Sequence, residues 1–347
     1  MPGRKLIQRL VVWVGQLCLQ IAPYLSILVG KHFLNVMIRS SCLLLIITVA
    51  ILVTNAPIAY GWNKATHMAI GSIAYRDLQQ TSPQTLTRVL TILKQHPYYQ
   101  RQWVPQLTRA NLTAQEQDEY LFMIAARWPD DIKGVDHYHD HFSWHFINYV
   151  YAPQLGVARS DTTLPTGETI LGAYELNRQI LKSNAADSAK AVALCWLFHL
   201  TGDVHMPLHT MALVDRQFPQ GDKGGNLFKI KVMMSSNTTN LHSLWDNMLL
   251  GTDDYQSVAN LAIQERVAFP RTQLAQMGNP SILVWSKESF QLAQDNAYRN
   301  NTLQAGSEEE GTVLPADYIE TVKPIAQRQV ALSGYRLTDE LVADVSN

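Results

Sequence analysis

The sequence predicts an all-α fold: a single helical domain running from residue 62 to residue 347, with room for one small β-hairpin. Three observations carry this. Beyond residue 62, apolar side chains recur at spacings of three and four, the period of one helix face. Proline and glycine gather at the joins between those runs, in "LPTGET", "FPQGDKGGN" and "MGNPS". Only one short run, "LFKIKVMM", has β character, and it follows the glycine-rich stretch as half of a hairpin would.

The elements follow in chain order. Residues 1–61 form a leader with two apolar blocks, Leu10 to Gly30 and Cys42 to Val53. Read from Met37, with Arg39 before the second block, the leader has the layout of a secretory signal: a short positive start, an apolar core and a polar stretch. Ala59 and Gly61 fill the small-residue positions for a cut before Trp62. The competing reading is a pair of membrane helices that anchor an external domain; the first block is long enough to cross a bilayer. The helical runs then begin with "THMAIGSIAYRDL". They continue through "SAKAVALCWLFHLTGDVH", "NLHSLWDNML", "ILVWSKESFQLAQDNAY" and "YIETVKPIAQRQVALSGYRLTDEL". No internal repeat or change of composition divides the chain after residue 62.

Charge and cysteine content narrow the function classes. The chain has 28 basic and 29 acidic side chains, for a formal net charge of −1. Five of the basic residues and none of the acidic ones lie in the leader, so residues 62–347 carry a net of −6. An acidic surface offers no general attraction to a phosphate backbone, so any grip on nucleic acid must be local. Cys195 is the one cysteine beyond the leader, which excludes an internal disulfide in a processed monomer. Stability must therefore come from the core or from metal.

Eleven histidines are present, and several stand in register with aspartates. In "HLTGDVHMPLHT", His199 and Asp203 are four apart and share one helix face. Pro207 ends or kinks that helix, so His209 can face elsewhere. His205 lies off the His199 face and reads as packing or as support for a ligand. His242 and Asp246 repeat the spacing in "LHSLWDN". "RWPDDIKG" places Asp130 and Asp131 at a proline-marked helix start, with Lys133 just after. His145 stands among aromatics in "SWHFINY", and His67 closes "WNKATH". A lone histidine–aspartate pair on a helix is ordinarily a solvated pair, and a lone histidine among aromatics is ordinarily core. Together, however, His67, Asp130, His145, His199, Asp203, His209, His242 and Asp246 supply eight side chains of the types zinc prefers. A catalytic zinc takes about three protein ligands. Eight exceed one ion and approach three, if one carboxylate bridges. The loop "HYHDH", residues 137–141, reads as surface.

These motifs, from "WNKATH" through "WPDDIK", "WHFIN", "HLTGDVHMPLH", "GDKGGN" and "NLHSLWD" to "GYRL", resemble the secreted zinc-dependent single-strand nucleases of moulds, plants and bacteria. That family is related in fold to the zinc phospholipase C enzymes. The resemblance implies three Zn2+ ions in a helical cleft and a mature chain that begins at tryptophan, whose α-amine and carbonyl hold metal. Trp62 matches that residue, and an α-amine with a pKa of about 8 loses its proton to a metal at modest cost. By the same resemblance Trp62 and His67 hold one ion, with Asp203 bridging. Asp130, His145 and His199 hold its neighbour, and His209, His242 and Asp246 hold a third. Asp130, Lys133 and Asp203 take the catalytic roles. Lys133 faces the scissile phosphate, and Phe146 and Asn148 bind a nucleobase. Some members carry Asp where this chain has Asn148, a residue that can donate as well as accept.

The implied activity is endonucleolytic hydrolysis of single-stranded DNA or RNA to 5′-nucleotides, accompanied by 3′-nucleotidase activity, in a secreted or periplasmic monomer. Such a monomer has no stable protein partner and no membrane attachment once the leader is removed. The alternatives are a zinc phospholipase C or phosphomonoesterase on the same scaffold, and a non-catalytic secreted zinc-binding protein.

Overall fold

The computed structural model describes residues 62–155, 157–159 and 168–345. The leader, with its expected signal segment and cut, lies outside the described residues. Ten α-helices are present among the described residues, and no helix among them is long and apolar enough to cross a membrane.

Helix α1 (Lys64–Thr81) opens under an Asn63 cap, whose side chain accepts from the Thr66 N–H at 3.0 Å. Thirteen of its residues are buried, so it runs through the core rather than over it. Helices α2 (Pro83–Leu93) and the short α3 (Val104–Arg109) follow, and α4 (Ala114–Asp131) starts at a reciprocal capping box of Thr113 and Glu116. α1 packs against α4 at Gly71, where a Cβ would meet the Phe122 carbonyl oxygen at 2.6 Å; a side chain there would force the two helices apart.

Helices α5 (Ile170–Lys182) and α6 (Asp187–Val204) pair next, and α6 is buried on nearly all sides over its second half. Short α7 (Leu241–Asp246), α8 (Tyr255–Ala268) and α9 (Ile282–Leu292) precede α10 (Tyr318–Val345). α10 has 28 residues and spans about 42 Å. It lies along α1 and α6 with Gly334 seated on Ile73.

Among the described residues, two small three-stranded sheets stand where a single hairpin was expected, and the second of them contains it. The first has the order β2-β1-β3, with β1 (Tyr149–Ala152) antiparallel to β2 (Val157–Arg159) and parallel to β3 (Met211–Leu213). The Tyr149↔Met211 register draws the chain after His145 alongside the chain after His209. The second has the order β5-β4-β6. There β4 (Lys229–Lys231) is the anticipated β-prone run, antiparallel to β5 (Thr239–Asn240) and parallel to β6 (Thr312–Val313). β5 feeds directly into α7, whose cap Asn240 accepts from the Ser243 N–H at 2.7 Å.

One expectation is corrected. Asp130 and Asp131 end a helix rather than start one: they are the last residues of α4, with Pro129 inside its final turn. The capping box sets the true start, and the buried run Leu121 to Ala126 carries the helix on to the proline.

Candidate metal centre

The candidate ligands come from element ends that converge. His67 sits in the first turn of α1, Asp130 in the last turn of α4, and His199 and Asp203 in the last two turns of α6. His145 closes a 3-10 turn, Phe142–His145, and His209 closes another, Pro207–His209. His242 and Asp246 lie on α7. All eight side chains are buried.

They fall into overlapping groups. His67, Asp130 and His199 present ligand atoms within 4.8 Å of one another, and so do His145, His199 and Asp203. His209, His242 and Asp246 form a separate group within the same limit. Asp203 joins the first two groups, with Oδ1 3.3 Å from His67 Nε2 and Oδ2 2.9 Å from His145 Nδ1 and 3.1 Å from His199 Nε2. Its Oδ1 also lies 3.5 Å from His209 Nδ1.

Backbone contacts fix the tautomers. His199 Nδ1–H donates to the Ala126 carbonyl at 2.9 Å, His209 Nδ1–H to the His145 carbonyl at 2.6 Å, and His242 Nδ1–H to the Gly224 carbonyl at 2.6 Å. A carbonyl can only accept, so each Nδ1 carries a proton, which makes Nε2 the ligand atom of the neutral ring, as in metal-binding histidines.

The residues fit a cation. His67 forms no hydrogen bond through either ring nitrogen, and Asp203 Oδ1 and Asp246 Oδ1 are buried without one. His199 Nε2 lies 2.9 Å from His145 Nδ1. Buried polar groups are normally satisfied, and nitrogen and carboxylate oxygen atoms gathered without hydrogen-bond partners at a buried site suit a cation.

Electrostatics point the same way. Burial, reinforced by Asp130 and Asp203, lifts the Asp246 carboxyl well above its ordinary range. Burial also penalises charge on Lys133, but Asp130 at 2.6 Å, helped by Asp203 and Asp246, outweighs it and raises the ammonium pKa. Burial and then Lys133 push His145 down to about 3.

The other predicted positions are spread around this centre. Trp62 is fully buried; its indole donates to the Gly202 carbonyl at 3.1 Å, and the next N–H, on Asn63, donates to the Asp246 carbonyl at 3.1 Å. Phe146 is half-buried and Asn148 exposed, both just beyond His145. Asp131 turns away to pair with Lys64 and Arg127. His205 also faces away. It donates from Nδ1 to the Thr201 carbonyl and accepts at Nε2 from Arg336, itself paired with Glu288 at 2.8 Å. In the 137–141 loop, His139 pairs with Asp136 at 2.6 Å and His141 stacks on Trp144 at 3.8 Å.

Sequence reasoning passed over two supports. Asp222, in the "GDKGGN" loop, accepts from the Leu213 and Gly225 N–H groups, each at 3.0 Å, and from the Tyr298 hydroxyl at 2.6 Å. It pins the loop whose Gly224 carbonyl orients His242. Gly224 and Gly225 have φ of 61° and 83°, so the glycine pair was the available signal. Gly202 is the other: it lets α6 lie against His67, and nothing in its local sequence marks that contact.

Residues 62–345 match the S1/P1 nuclease family. The chain belongs to that family. Among curated relatives, Endonuclease 2 of Arabidopsis thaliana is 25% identical over 312 residues, covering 86% of this chain and 95% of that protein. Endonuclease 4 of the same plant is 30% identical over 244 residues, covering 62% and 74% respectively. Nuclease S1 of Aspergillus oryzae is 24% identical over 246 residues, covering 65% and 80%. This S1/P1 nuclease is accordingly a hydrolase of phosphodiester bonds, and its buried histidine–aspartate groups are able to bind the metal on which the family depends.

Proposed function

We propose that the protein is a secreted endonuclease that uses three Zn2+ ions to hydrolyse single-stranded DNA and RNA to 5′-nucleotides, and that it also removes 3′-phosphates from nucleotides. The observation that carries this is the set of overlapping buried groups. Four residues, His67, Asp130, His145 and His199, surround Asp203 or share its partners, and a separate trio stands beside them. In this reading Trp62, His67 and Asp203 hold one ion, and Asp130, His145, His199 and Asp203 a second. His209, His242 and Asp246 hold the third. When bound, such ions supply Lewis acidity towards the phosphodiester and towards water.

The chain's own residues do the remaining work. Lys133 carries its positive charge at the buried centre and offsets charge that gathers on the phosphoryl oxygens. Phe146 receives a nucleobase on its ring, and Asn148 hydrogen-bonds the base edge. A paired base must leave its stack to reach Phe146, which favours single strands. The acidic net charge agrees with a grip made by metal and stacking rather than by a basic surface.

Trp62 contributes its free amine once the leader is cut before it. The Trp62 indole is anchored on the carbonyl of Gly202, next to Asp203, and the Asn63 N–H on the carbonyl of Asp246, which supports a terminal amine in this position. The test combines N-terminal sequencing of secreted protein with a zinc count and assays on denatured and native DNA. A start at Trp62, three zinc ions and preference for denatured DNA are expected. An uncut active protein would overturn the terminal-amine reading, and release of phosphocholine from lecithin without DNA hydrolysis would favour a phospholipase.

A further inference from the structure

Phe142 is a large aromatic side chain left 60% exposed beside the candidate metal centre. Single exposed apolar residues are ordinary, but this one is not isolated. Its ring centroid lies 5.4 Å from that of Phe146, with the two planes 73° apart. It opens the same 3-10 turn that His145 closes. Phe142 and His145 are thus the two ends of one such turn, and Phe146 follows it directly.

The turn is braced from below. Trp144 stacks on His141 at 3.8 Å and meets Trp196 edge-on at 4.9 Å, and His145 lies 2.9 Å from Asp203. Phe142 is therefore presented outwards on a supported element and needs little ordering when a flat group binds it.

We propose that Phe142 is a second stacking platform, which takes the nucleobase adjacent to the one on Phe146. The proposal rests on the reading of Phe146 as the first platform. Every base has a π-face, so the platform is indifferent to sequence. Two platforms 73° apart require neighbouring bases to be splayed by a similar angle. A duplex, whose neighbouring bases lie parallel, cannot use both. The pair thus adds a geometric reason for single-strand preference to the cost of unpairing a base.

The test uses short single-stranded oligonucleotides, each intact or carrying one abasic position on either side of the base at the scissile bond. The wild-type enzyme should show a lower KM for the intact strand than for one of the two abasic strands. Phe142→Ala should raise KM for the intact strand about fivefold or more, leave kcat within about twofold, and erase the difference between intact and abasic strands. Phe142→Trp should retain that difference. Phe142→Leu keeps an apolar side chain without a π-face and should behave as the alanine variant does. Because the ring is mostly exposed, its truncation opens no core cavity.

Phe146→Ala separates the two ideas. If it leaves KM unchanged on every strand, the underlying base-stacking reading fails. If it raises KM while Phe142→Ala and Phe142→Leu keep the intact-against-abasic difference, the second platform is overturned and the first stands.

Discussion

Gly202 and His67 are in direct opposition: a Cβ built on Gly202 would stand 2.9 Å from His67 Nδ1 and 3.1 Å from Ile70 Cδ1. The last turn of α6 can reach the first turn of α1 only because this residue has no side chain. The close approach is what lets Asp203, one residue on, lie 3.3 Å from His67 Nε2.

Gly202→Ala is therefore expected to push the His67 ring out of line. The overpacking should cost about 1–3 kcal/mol, read as a lower urea midpoint. Metal content should fall before the fold is lost. Unchanged zinc stoichiometry in the folded variant would show that the ring has room to move.

Asp203→Ala removes the carboxylate shared by His67, His145 and His199. Hydrolysis of denatured DNA should drop below detection, and so should that of His199→Ala. Both variants should melt at lower temperature than wild type in zinc, because metal binding and folding are coupled. Activity near wild type in either one would remove this cluster from the reaction.

Chelation tests the same coupling without mutation. Removing the metal leaves buried carboxylates and imidazoles uncompensated, so Tm should fall by roughly 10 °C or more, the order expected for several kcal/mol in a chain of this size. Added zinc should restore both Tm and activity. A chelated protein with an unchanged Tm would mean that the clusters are structurally neutral.

His96 gives a pH dependence away from the metal centre. The ring is buried, stacked on Trp103 at 4.2 Å, with Nδ1 accepting from the Tyr98 N–H at 3.1 Å. Burial, with His139 nearby, pushes its pKa down to about 3, below the unfolded value of 6.5. Between those values the unfolded chain binds the extra proton. Stability is thus full above about pH 6.5 and is lost as pH falls towards 3. In chelated protein, His96→Phe should reduce the loss between pH 7 and pH 4.5 by about 2–3 kcal/mol, measured by urea unfolding at both values. Parallel losses in the two proteins would refute the assignment.

Much of the helical architecture was legible in the sequence, because three-and-four spacing is a local property. "THMAIGSIAYRDL" lies within α1, and "LHSLWD" is α7. Pro129 misled, since a proline marks the first turn of a helix more often than it sits inside the last one; the capping box at Thr113 and Glu116 was the better guide. The three-residue strands β1 and β3 were not legible. They are too short to show alternation, and the pairing of Tyr149 with Met211 joins segments 62 positions apart.

By itself the sequence determined which residue types recur at metal-ligand spacing: His199 with Asp203, His242 with Asp246, each pair one helical turn apart. It also determined where several helical runs lie, but not on which side of Pro129 a helix stood, and so not which end carries Asp130. Only the tertiary structure decided that the start of α1 meets the ends of α4 and α6 and that Asp203 faces both His67 and His145. Only it showed His205 turned aside to Arg336. The physical reason is that helical periodicity is fixed by neighbours along the chain, whereas contact between helix ends depends on packing details such as the missing side chain at Gly202.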